Sequence, residues 1–150
     1  MSLQSCAVTM TKQMIQIEST DPGTYENAMA DWITTQLAPY PNVRLSRQEV
    51  LPGRPNLIAE LTGDPSLPAL VMICHMDTVV VGDGWTLPPF DAIEKDGKIY
   101  GRGACDMKSG LACCLSAFQY AAETLQTSGK TPKQTLKLIC SMDEEDFMRG

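Results

Sequence analysis

The sequence predicts an α/β fold with helices layered on a central sheet. Leu70–Cys74 (LVMIC) is a continuous apolar run of strand length, and Gln134–Ser141 (QTLKLICS) reads as a second buried strand. Segments with apolar residues at helical spacing alternate with such runs, and Gly, Pro, Ser and Asp clusters separate them. Interleaved strands and helices of this kind bury their apolar faces as layers around a sheet.

In chain order, residues 5–18 read as a helix, with Val8 and Ile15 on its apolar side. Ser19–Gly23 is a turn cluster, and Thr24 is placed to cap a second helix. That helix carries Ala28, Trp32, Ile33 and Leu37 as a stripe and stops at Pro39. Residues 42–50 alternate as a half-buried strand, and 56–61 (NLIAEL) form the next. Leu70–Cys74 is expected to be buried on both faces and runs directly into His75. After a loop containing Gly82, Gly84, Pro88 and Pro89, residues 92–100 read as a hairpin turning at Asp96-Gly97. The glycine-rich segment 101–108 leads into a helix over 110–125 with a small apolar face, and the strand 134–141 ends at Asp143-Glu144-Glu145-Asp146.

The chain has 150 residues, enough for about one domain. Hydrophobic residues make up 43% and charged residues 20%, which argues against wholesale disorder, collagen and coiled coil. No apolar run reaches the ~18 residues of a membrane span. A net charge of −6 lacks the basic footprint that phosphate backbones demand, so neither nucleic acid nor membrane is an expected partner. The N-terminal residues have no basic region followed by an apolar one, so no signal peptide is read. Six cysteines without a CxxC pair are expected to be free thiols in a reducing cytoplasm.

Three polar clusters follow strong structural elements: His75-Met76-Asp77, Asp106 in GRGACDMK, and the acidic run 143–146. Two of them fall at the carboxyl ends of strands, where functional groups collect in open α/β sheets. Imidazole nitrogen with carboxylate oxygens suits a zinc-type divalent ion. A carboxylate two residues from a histidine can orient its ring, and adjacent glutamates can divide metal binding from proton transfer. Taken singly, each cluster also has an ordinary structural reading: a hydrogen-bonded loop histidine, a turn aspartate, a solvated acidic loop. Cys105 could be a ligand, a nucleophile or a small packed residue, and the six thiols also suit a redox or metal-storage protein.

The three clusters in this order resemble the M20 metallopeptidase and amidohydrolase family. The resemblance rests on ICHMDTV at 73–79, WTLPPF at 85–90, DGKIYGRGACDMKSGLA at 96–112 and SMDEE at 141–145, and extends over about residues 10–150. It implies a zinc-peptidase-like three-layer sandwich around a mixed central sheet. His75 would be a metal ligand, Asp77 the carboxylate that supports it, and Asp106 the carboxylate bridging two metals, its bond to Met107 expected to be cis. Glu144 would be the general base and Glu145 a ligand of the second metal. The implied cofactor is a pair of Zn2+ ions, with Co2+ able to substitute. The implied reaction is hydrolysis of the amide bond of an N-acyl amino acid or short peptide by an activated water.

Members of that family are normally much longer and use an acidic residue and a histidine beyond the glutamate pair, whereas His75 is the only histidine here. Residues 1–150 are therefore expected to be the N-terminal part of a catalytic domain. The remainder of that domain and an inserted lid or dimerisation domain would lie outside the chain. Alone it should bind zinc weakly, show little or no activity and leave an apolar face uncovered; homodimerisation would belong to the longer protein. The competing reading is a non-catalytic truncated paralogue acting as a protein-interaction module.

Overall fold

The computed structural model describes residues 3–150. Its elements are α1 (Leu3–Ile15), β1 (Thr20–Asp21), α2 (Asn27–Leu37), β2 (Arg44–Leu51), β3 (Arg54–Leu61), β4 (Leu70–His75) and β5 (Thr78–Val79). There follow β6 (Ile93–Lys95), β7 (Lys98–Tyr100), a wide turn at Ala104–Lys108, α3 (Ser109–Ser128) and β8 (Leu136–Ser141).

The main sheet has the order β2-β3-β8-β4. β2 with β3 and β3 with β8 are antiparallel, while β4 and β8 are parallel, so the sheet is mixed as expected. The parallel pair requires a crossover, which the 6–7 hairpin and α3 supply. Along β8, Leu138 and Cys140 are buried and alternate with less buried residues; Leu57, Ala59 and Leu61 of β3 face the same core. Met14, Met29, Ile33, Leu37, Leu111, Leu115 and Phe118 of the three helices complete it. Each such fully buried large side chain contributes roughly 1.5–3 kcal/mol relative to exposure.

Several boundaries differ from the sequence reading. α1 ends at Ile15, not at residue 18, because the Ile17 amide bonds back to Met14 and the chain leaves to pair β1 with β5. Thr24 does not cap α2. Glu26 occupies the cap position in a helical conformation, makes no side-chain cap, and gives its carboxylate to Arg54. α3 runs on to Ser128 and ends at Gly129, whose φ of 65° is the usual left-handed helix terminator. The hairpin turn forms where expected, with positive φ at both Asp96 and Gly97, the requirement of a type I′ turn.

The largest difference concerns β4. Val71 and Ile73 alternate with the buried Cys74, and Ile73 is 66% exposed. Among the described residues β4 pairs only with β8, and the helical core meets one face of the sheet. The run is apolar on both faces, but only one face is covered, which leaves the uncovered apolar face that the sequence reading anticipated.

Candidate metal centre

Parallel pairing sets the ends of β4 and β8 side by side. His75 lies opposite Ser141, and the Met76 amide donates to the Ser141 carbonyl at 2.9 Å. Asp106 reaches the same point from the wide turn before α3, where the His75 amide meets Met107 Sδ at 3.3 Å. Gly103 opens that turn at a φ of +77°; a Cβ there would lie 2.6 Å from Thr78 Cγ2. The Asp106–Met107 bond is cis.

The His75 ring is buried between two acceptors. Nδ1 lies 3.0 Å from the Asp77 carbonyl and 3.5 Å from Asp77 Oδ1; Nε2 lies 3.0 Å from Asp106 Oδ1 and 3.8 Å from Glu144 Oε2. Only the doubly protonated ring donates on both sides. Burial pulls its pKa down, but the bonds to Asp77 and Asp106 outweigh that and push it up to about 9. A divalent cation facing Nε2 would replace the proton there, with Nδ1–H still donating to Asp77.

The Asp77 carboxylate serves two segments. Oδ2 accepts the Glu145 amide at 2.8 Å, while the buried Oδ1 has no hydrogen-bond partner among the described residues. Burial opposes its ionisation, yet the His75 ring and the Glu145 and Glu144 amides hold its pKa below the usual carboxylate range. The Glu145 carboxyl is pushed up, chiefly by burial and also by Asp106, Asp77 and Glu144, with His75 opposing. Donor atoms of His75, Asp106 and Glu145 lie within 4.8 Å of one another and could hold a cation.

All five residues singled out from the sequence thus converge. Sequence reading missed the residues that hold the acidic loop. The Met142 amide donates to Asn56 Oδ1 and the Asp143 amide to Glu26 Oε1, each at 3.0 Å. Asp143 sits at a φ of 58° and is clasped by Arg149 through Nε at 2.6 Å and Nη2 at 2.8 Å. Two other acidic groups, Asp21 with Asp143 and Asp146, and Asp21 with Glu26 and Asp77, are close enough to chelate. There the Arg54 guanidinium already meets Asp21, Glu26 and Asp143. The only sequence signal for Arg54 was a charged residue just before an apolar strand. Lys108 was also missed: it is buried, and its Nζ donates at 2.7 Å to the Ile17 carbonyl, two residues past α1.

Arg102 of the GRG segment ties down the WTLPPF loop. Its Nη2 and Trp85 Nε1 both donate to the Val81 carbonyl, and the guanidinium lies 5.3 Å from the Trp85 ring centre. Cys105 lines an apolar cleft of about 710 Å³ between α1, the hairpin and α3, together with Cys113. It is not among the donor groups found in the described residues. All six cysteines are free, and no helix among the described residues is long and apolar enough to cross a membrane.

The succinyl-diaminopimelate desuccinylase of Gluconacetobacter diazotrophicus is 46% identical over 92 residues, covering 61% of this chain and 22% of that protein. The chain therefore spans under a quarter of that relative's length. The M20 family metallo-carboxypeptidase Sso-CP2 from Sulfolobus solfataricus superposes with a TM-score of 0.71 at 21% identity, over 90% of this chain and 30% of that one. The Bacillus subtilis YXEP protein, described as a dinuclear metal binding peptidase from the M20 family, gives a TM-score of 0.56 at 16% identity, over 92% and 35% of the respective chains. These likenesses establish the shared fold. The model of peptidase family M20/M25/M40 matches residues 71–150, the span from β4 through the acidic loop that contains His75, Asp77, Asp106, Glu144 and Glu145, and this chain belongs to that family.

Proposed function

We propose that residues 1–150 carry the N-terminal share of the active site of a di-zinc amide hydrolase acting on N-acyl amino acids or short peptides. The observation that carries this reading is the convergence of His75, Asp106 and Glu145 donors within 4.8 Å of one another, with Glu144 Oε2 beside them. The donor set fits the ions: one imidazole, with its other nitrogen fixed by Asp77, and carboxylates crowded enough that burial holds Glu145 toward its neutral form. His75, Asp106 and Glu145 would hold zinc, with Asp106 shared between two ions and Co2+ an acceptable substitute.

Bound zinc would acidify a water and polarise the scissile carbonyl. Glu144 would accept a proton from the attacking water and deliver it to the departing amine nitrogen. Its carboxylate is accessible enough to reach both, and the loop that carries it is anchored on either side by buried acceptors. Asp77 keeps His75 in one orientation and fixes the Glu145 backbone. The relative's desuccinylase name and the neighbour's metallo-carboxypeptidase name both support an amide adjoining an amino acid as the bond cut. Free thiols suit a reducing cytoplasm, and a homodimer belongs to the proposal for the longer protein.

A second reading, a non-catalytic interaction module, is favoured by the uncovered apolar residues Val71 and Ile73. Intact denatured mass, zinc content and a hydrolysis panel of N-acyl amino acids and dipeptides separate the two. Zinc-dependent turnover abolished by Glu144→Ala supports the hydrolase. Material that binds no zinc and cleaves nothing at any chain length supports the module.

A further inference from the structure

We propose that Arg54 is a positioning residue for the Glu144–Glu145 pair, acting through Glu26 and Asp143; the proposal rests on the metal-site reading above. Arg54 opens β3 and is 8% exposed. Its Nε donates to Glu26 Oε2 at 3.0 Å, Nη2 meets both Glu26 Oε1 and Asp21 Oδ2, and Nη1 lies 3.3 Å from Asp143 Oδ1. The Tyr25 ring covers the guanidinium, its centre 4.1 Å away.

This guanidinium grips the acidic loop twice. It faces the Asp143 carboxylate directly, and it holds the Glu26 oxygen that accepts the Asp143 amide. Asp143 is the left-handed residue immediately before Glu144, so its setting fixes the direction in which the glutamate pair leaves β8. Two residues along β3, Asn56 holds the Met142 amide, and Asp77 takes the Glu145 amide beyond. The start of β3 therefore supports one side of the loop and the end of β4 the other.

Stability alone is a weak reason to bury this cluster, because well-packed apolar groups commonly replace buried ion pairs without loss. What apolar groups cannot do is hold three carboxylates at fixed angles. A planar fork with five donors can, and a lysine ammonium does so less well. The network spends its directionality on a loop whose next two residues are the proposed base and ligand.

The test uses Co2+ as the probe on the 150-residue chain, with Arg54→Met, Arg54→Lys, and Ala122→Gly as a helix-destabilising control remote from the loop. Near-UV dichroism confirms folding, Co2+ affinity and visible bands report the site, and amide exchange at Asp143 and Glu145 reports the loop. Arg54→Met is expected to weaken Co2+ binding about 10–100-fold, the usual effect of losing a residue that orients ligands. It should also change the bands and speed exchange at both amides, with Arg54→Lys recovering part of each. Ala122→Gly should lower the melting temperature only.

Wild-type affinity, bands and exchange in Arg54→Met would overturn the proposal, as would Ala122→Gly reproducing every change. Should Arg54→Met not fold, Glu26→Gln is read in the same three ways. If the wild type binds no Co2+ through His75, judged against His75→Ala, the metal reading fails on its own and amide exchange still decides whether Arg54 sets the loop.

Discussion

The Asp77 carboxylate accepts the backbone amide of Glu145 at 2.8 Å, joining the end of β4 to the loop after β8. A residue that sequence reading assigns to the support of His75 thus also fixes the backbone of Glu145, the proposed ligand of the second metal. The Asp77 backbone carbonyl, at 3.0 Å, is the closer of its two contacts with the His75 ring.

Asp77→Ala leaves the half-buried Glu145 amide without its acceptor. The expected loss of unfolding free energy is about 1–3 kcal/mol for that amide. Co2+ affinity should fall in the same variant because Glu145 loses its anchor. Urea titration and a Co2+ isotherm check both, and a fall in stability with unchanged Co2+ affinity would separate Asp77 from the site.

His75→Ala, Asp106→Asn and Glu145→Gln should each weaken divalent-metal binding about tenfold or more, whereas Glu144→Gln should leave it nearly intact, because a base is not a ligand. Calorimetric titration with Zn2+ distinguishes the groups. Equal losses in all four variants would place Glu144 among the ligands.

Burial pushes the Cys140 thiol well above its ordinary pKa, with Cys74 and Cys114 adding to the effect. The folded chain keeps that proton at pH values where the unfolded chain releases it. Its contribution is therefore full below the unfolded thiol pKa of about 8.5 and is lost progressively as pH rises toward the folded value. The stability advantage of wild type over Cys140→Ala should shrink by about 2 kcal/mol between pH 7 and pH 10, at ~1.4 kcal/mol per pH unit above the unfolded pKa. Denaturation curves of both proteins at the two pH values provide the comparison; an advantage that stays constant contradicts it.

Ile73 and Val71 stand on the open face of an edge strand, an invitation to self-association. Ile73→Lys should lower concentration-dependent association while changing stability by no more than about 0.5 kcal/mol, as exposed positions usually do. Sedimentation across a hundredfold concentration range reads the first effect and urea unfolding the second. A large stability loss would mean that the face is packed in solution.

Much of the site was legible in the chain because its chemistry is carried by rare residues directly after strong elements. One histidine follows LVMIC, one aspartate sits in a glycine-rich turn, and two glutamates follow QTLKLICS. The supports of the acidic loop were not legible. Glu26 looked like any residue near a helix start, and Arg54 and Asn56 like a strand margin. Their partners are distant in sequence, with Glu26 meeting the Asp143 amide across 117 positions.

The sequence by itself determined the alternation of strands and helices, the Asp96-Gly97 turn and the identity of the donor residues, because these depend on local periodicity, backbone preference and side-chain chemistry. Tertiary structure alone decided that β4 and β8 run in parallel, so that His75 stands beside Ser141 and Glu145 of the acidic loop comes within 4.8 Å of Asp106. It also decided that one face of β4 is open and that Glu26 serves Arg54 instead of capping its helix. Burial and long-range pairing set those outcomes, since an apolar run or a carboxylate carries no local mark of what will cover it.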